Sequence, residues 1–91
     1  MTKIILQCTC YACPEQYDAF IDGKQVGYLR LRHGQFTVDC PDVNGIEVLC
    51  VEPNGDGIFE SEERDKYLRL AVERIHAFLR DGITSNDYEI D

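Results

Sequence analysis

Between Glu52 and Glu63 the chain reads Glu-Pro-Asn-Gly-Asp-Gly-Ile-Phe-Glu-Ser-Glu-Glu. Laid on a twelve-residue calcium loop, Glu52, Asn54 and Asp56 supply side-chain oxygens at positions 1, 3 and 5. Ile58 offers its backbone carbonyl, Glu60 binds directly or through water, and Glu63 is the bidentate ligand. Gly57 falls where such a loop turns sharply. A hard cation needs several oxygens at one point, and this spacing wraps them around one. Two features depart from the pattern: Glu stands at the first position in place of Asp, and the element before it reads as a strand. The same residues have a second reading. Asn54-Gly55-Asp56-Gly57 is a turn sequence in its own right, and acids at a helix N-terminus are stabilising without metal.

Cys8, Cys10 and Cys13 form C-x-C-x-x-C, and Cys40 could complete four soft ligands for zinc. A second C-x-x-C is missing, because position 43 is Val. Cys8, Cys10, Cys40 and Cys50 also fall at inward-facing strand positions, where a free thiol behaves as a small apolar group. Cys13 is the one candidate for a redox thiol. Arg30 and Arg32 share one strand face, with His33 at the turn beyond and Lys24 at the other end. They could grip a carboxylate or phosphate, or be a solvated stripe paired across the strand. His33 and His76 have no recognisable nucleophile partner, and His76 reads as a helix-flank residue. No Ser-His-Asp order, phosphate loop or dinucleotide fingerprint occurs, so no catalytic set is expected.

The elements that must position these groups follow from periodicity. Alternation of period two predicts strands over Ile4–Cys10, Tyr17–Asp22, Gln25–Arg32, Gln35–Cys40 and Ile46–Val51. Asp22-Gly23, His33-Gly34 and Asn44-Gly45 are the turn signals between them. Short connections imply an antiparallel meander. Leu68, Ala71, Val72, Ile75, Phe78 and Leu79 then follow the helical stripe. Ser61 is the expected N-cap, and Gly82 suits the position after the C-cap. Glu60/Arg64, Glu62/Lys66 and Asp65/Arg69 are i, i+4 pairs in the favourable order. The expected fold is α+β: a meander of four to five strands with one amphipathic C-terminal helix on one face. Residues 1–82 form the single domain, and residues 83–91 are an acidic, flexible tail.

Ninety-one residues fill one core, and a domain of that size gains from a metal, a crosslink or a partner. The net charge is −8. Residues 1–51 hold four Lys/Arg against six Asp/Glu, and residues 52–91 hold five against eleven. This balance disfavours nucleic-acid backbones and anionic membranes and favours cations or a basic protein surface. The apolar run Ile4-Ile5-Leu6 is too short for a signal core or a membrane span, so a cytoplasmic location is expected. An odd number of cysteines argues against a disulfide framework.

Three blocks carry a family resemblance: Cys13-Pro14-Glu15-Gln16-Tyr17-Asp18, Gly27-Tyr28-Leu29-Arg30-Leu31-Arg32-His33-Gly34 and Gly55-Asp56-Gly57-Ile58-Phe59-Glu60. Over residues 8–80 the chain resembles a family of small proteins of bacteria and their phages with no assigned activity. Locally, Glu52–Glu63 resembles an EF-hand loop. The family resemblance implies a bacterial or phage-infected cell and a partner among host or defence components. The expected function is an acidic, non-enzymatic protein-interaction module. Its contact residues are Tyr28, Arg30 and Arg32 on the sheet, with Glu62 and Asp65 on the helix. The alternative is a calcium-binding module built on Glu52–Glu63. The sheet face away from the helix is expected to carry some of Tyr17, Tyr28, Leu29, Leu31 and Arg30. If that face is apolar, a symmetric homodimer is its simplest cover.

Overall fold

The computed structural model describes residues 3–91. The strands are β1 (Ile4–Cys10), β2 (Glu15–Ile21), β3 (Lys24–Arg32), β4 (Gln35–Cys40) and β5 (Ile46–Val51). They are followed by α1 (Ser61–Leu79) and a short β6 (Tyr88–Ile90). The fold is α+β, with one sheet in the order β5-β4-β3-β2-β1-β6. β1 to β5 form the antiparallel meander, and β6 lies parallel to β1. No helix among the described residues is long and apolar enough to cross a membrane.

The β2–β3 and β3–β4 hairpins close through two-residue turns with positive φ at both residues: Asp22 and Gly23, then His33 and Gly34. That backbone matches the twist of the flanking strands, and it is why Gly follows a tolerant residue in each case. It also fixes His33 directly after Arg32 at the end of β3.

Alternation decides which face is buried. Glu15, Tyr17 and Ala19 of β2, Leu29 and Leu31 of β3, and Phe36, Val38 and Cys40 of β4 point to the helix side. Ile4 and Leu6 of β1 and Leu49 of β5 join them. α1 lies across β3, β4 and β5 and buries Leu68, Ala71, Val72 and Ile75. Gly27 makes the close approach possible: a Cβ there would sit 2.6 Å from Ile75 Cδ1. The opposite face therefore carries Tyr28 and Arg30 but not Tyr17, Leu29 or Leu31. It also carries Gln16, Asp18, Thr37 and Asp39, and with Ile5 paired to Phe20 and Cys50 opposite Thr37 it is of mixed polarity.

Three local expectations differ. The N-cap is Glu60, not Ser61, because the Glu63 side chain reaches back to the Glu60 N–H. At the other end Arg80 takes the left-handed cap conformation, two residues before Gly82. The tail is not loose throughout: Tyr88–Ile90 pairs with Ile4–Leu6, and the Asp91 N–H donates to Leu6 O. The Tyr88 hydroxyl also donates to Asp65. Of the three i, i+4 pairs only Asp65–Arg69 forms among the described residues, at 2.8 Å. Arg64 is drawn elsewhere.

Candidate functional site

Arg64 is drawn to Glu15, which is 2 % exposed beneath the loop from β5 to α1. The Cys13–Pro14 peptide just before Glu15 is cis, and the N–H groups of Cys13 and Glu15 both donate to Gly57 O, at 2.7 and 2.8 Å. Glu15 accepts from Arg64 Nε (2.9 Å) and Nη2 (3.3 Å), from the Phe59 N–H (2.9 Å) and from the Tyr17 hydroxyl. Burial, reinforced by the Glu15 carboxylate, holds the Tyr17 hydroxyl well above its usual range. Phe59 inserts into the core edge-on to Phe36 and stacked on Tyr67, with centroids 5.0 and 5.7 Å away. The 52–60 loop is thus clamped from below by one carboxylate and one aromatic plug.

From the helix side a second carboxylate clamps it. Glu63 Oε1 accepts from the Asn54 N–H, and Oε2 accepts from the Gly55 and Glu60 N–H groups, at 2.9, 2.8 and 3.0 Å. Glu63, expected as the bidentate calcium ligand, spends both oxygens on backbone donors. Glu52, Asn54, Asp56, Ile58 and Glu60 are exposed. Among the described residues no three His, Cys, Asp or Glu side chains are gathered as metal ligands. The arrangement supports the turn-and-cap reading of this segment. Thermal stability is accordingly expected to be the same in millimolar calcium and in chelator. A calcium-dependent rise in Tm, lost in Asp56→Ala, would restore the metal reading.

The thiols separate as well. Cys40 is buried, and burial pushes its thiol up to about 11. Cys8 is also raised by burial and donates to Cys10 O. Cys10 is half-buried, and Cys13 and Cys50 are exposed. Cys50 lies opposite Thr37, on the open face, and not inward as its alternation suggested. Among the described residues no three of Cys8, Cys10, Cys13 and Cys40 are gathered as metal ligands. His76 is buried, not a flank residue, and its Nδ1 lies 2.8 Å from Asp81 Oδ2. That hydrogen bond holds the Asp81 carboxyl below its usual value.

What the fold does bring together is the three sequence blocks. Cys13, Arg32, His33, Asp56 and Gly57 line a cleft of about 290 Å³. A second cleft of about 330 Å³ is lined by Arg30, Arg32, His33, Gln35 and Thr37. Arg32 and His33 belong to both, with Arg32 Nε 3.2 Å from His33 Nε2. Among the described residues neither Arg30 nor Arg32 forms an ion pair. The predicted contact residues divide accordingly. Tyr28, Arg30 and Arg32 share the open sheet face, where Tyr28 donates to Gln16. Glu62 and Asp65 lie on the exposed helix side, and Asp65 is already held by Arg69 and Tyr88.

Glu15 escaped the sequence reading. Its signal was present: Glu15, Tyr17 and Ala19 are in phase on the buried side of β2, so a carboxylate there needs a cation. No protein-family model, curated protein or solved structure matches the chain.

Proposed function

We propose that the protein is a small, non-enzymatic interaction module whose open sheet face receives an acidic segment of a protein partner. The carrying observation is the cleft of Arg30, Arg32, His33, Gln35 and Thr37, with two guanidinium groups that have no ion pair among the described residues. Guanidinium forks match carboxylates in geometry and charge, and Gln35 and Thr37 add neutral hydrogen-bonding groups beside them. On a chain of net charge −8 such a patch selects strongly. Charges farther than about 8 Å are screened at physiological ionic strength, so a docked carboxylate feels Arg30 and Arg32 more than acids beyond that range, while Asp39 on the same face lies within electrostatic reach of Arg30 and competes for it. The acidic helix side is the weaker surface, because Asp65 is neutralised locally and Glu62 accepts from Ser61. The resemblance to small bacterial and phage proteins accords with a host or defence component as the target.

The test is fluorescence anisotropy with a labelled peptide of clustered glutamates. Arg30→Ala combined with Arg32→Ala is expected to weaken binding by about tenfold or more, the equivalent of one lost charge-assisted contact. Equal binding by native and doubly substituted protein would sink the reading.

A further inference from the structure

Lys24, at the opposite end of β3 from Arg32, lines a separate cavity of about 540 Å³. Its walls are largely apolar. Ile21 and Val26 come from the β2–β3 hairpin, Pro41 follows β4, and Phe78 and Leu79 end α1. Ile21, Phe78 and Leu79 are only half-buried, so they pack on the core and still line the cavity. Two charged groups share this lining, and they differ in availability. Asp81 has both oxygens engaged: Oδ2 lies 2.8 Å from His76 Nδ1, and Oδ1 accepts from the Ile83 N–H at 2.9 Å. Lys24 is exposed and forms no ion pair among the described residues. The nearby charges of Asp22 and Arg80 are not part of the lining.

We infer that this cavity binds a small amphipathic monocarboxylate, an aliphatic chain with one anionic head. Its size falls in the range of small-molecule sites, about 300–1,000 Å³. The apolar walls receive the chain, and each methylene that leaves water there adds to the affinity. Charge fixes the direction of the head. Lys24 brings a positive charge and three N–H donors to the β2–β3 turn. The end of α1 has the opposite character: its last carbonyls carry the negative end of the helix dipole, and Asp81 follows them. A carboxylate is therefore attracted at one end of the cavity and repelled at the other. It lies against Lys24, with its chain running toward Phe78 and Leu79. A cationic amphipath meets an unpaired ammonium, and its counter-charge, Asp81, is already occupied by donors. The site is at the other end of β3 from the Arg30 and Arg32 cleft, so it stands or falls independently of peptide binding there.

The experiment titrates the native protein with hexanoate, octanoate, 1-octanol and octylammonium by calorimetry, and locates octanoate by intermolecular NOEs. Octanoate is expected to bind saturably, with its terminal methyl close to the Phe78 and Leu79 side chains. Affinity should rise about fourfold per methylene from hexanoate to octanoate, the equivalent of about 0.8 kcal/mol each. Octanoate should bind more tightly than either 1-octanol or octylammonium. Lys24 is exposed in a turn, so Lys24→Ala keeps the fold. That variant should weaken octanoate about tenfold and leave 1-octanol unchanged. Arg30→Ala combined with Arg32→Ala should leave octanoate binding as it is. No saturable binding, NOEs to the open sheet face instead of Phe78 and Leu79, or equal binding of octanoate and octylammonium would overturn the inference. So would a Lys24→Ala variant that binds octanoate as the native protein does. A peptide ending in leucine that binds this cavity where octanoate does not would replace the small molecule with a protein terminus, and would overturn it too.

Discussion

Glu15→Ala is expected to remove about 3–5 kcal/mol of stability, measured by chemical denaturation. The substitution leaves the Phe59 N–H and the Tyr17 hydroxyl without their acceptor and Arg64 without its counter-charge. Each stranded buried donor costs about 1–3 kcal/mol. Arg64 is partly exposed and recovers some hydration, so its share is smaller. A domain of this size has about 5–15 kcal/mol in total, so the loss is a large fraction of its stability. Arg64→Ala should cost less than Glu15→Ala, and the double variant should cost much less than the sum of the two. A loss below about 1 kcal/mol in Glu15→Ala would mean that the carboxylate is not the clamp described.

Glu63→Ala is the second large effect, at about 2–3 kcal/mol, because three backbone N–H groups lose their acceptor at the helix start. It also carries a pH signature. Partial burial pushes the Glu63 carboxyl up, but the Glu60, Asn54 and Gly55 N–H groups, with Lys66 nearby, outweigh it and leave it below the usual 4.5. A carboxyl depressed on folding contributes stability that is present above its unfolded value. That contribution disappears as pH falls below about 4.5 and through the lowered native value. Stability curves of native protein and Glu63→Ala should therefore converge as pH falls through that window. Parallel curves, with the gap unchanged in acid, would assign the loss to packing and not to the ionised carboxylate.

The meander was legible because both kinds of signal agreed. Period-two alternation marked β1, β4 and β5 at their observed bounds, and Asp22-Gly23 and His33-Gly34 marked turns that only residues tolerant of positive φ can make. The helix stripe was equally clear, since Leu68, Ala71, Val72 and Ile75 must be buried together. β6 was not legible: three residues at a sheet edge are too few to show a period, and their pairing with β1 is parallel and distant in sequence. The loop admits two readings for a physical reason. Acids that bind a cation and acids that cap a helix share one chemistry, oxygens presented to positive charge, and only geometry shows that Glu63 faces N–H groups. Likewise Arg64 had a good local partner in Glu60, and the buried Glu15, 49 positions away, took it. The cleft was half legible. Arg30 and Arg32 stood out on their strand face, but Cys13 and Asp56 reach it through the Gly57 carbonyl contact, which no local pattern announces.

The most direct test of the anion-binding sheet face is a backbone amide chemical-shift map of the protein titrated with the glutamate peptide. Saturable shifts should cluster at Arg30, Arg32, His33, Gln35 and Thr37 and shrink as salt is raised. Shifts confined to the outer side of α1 around Glu62 and Asp65, or none at saturating peptide, would contradict it.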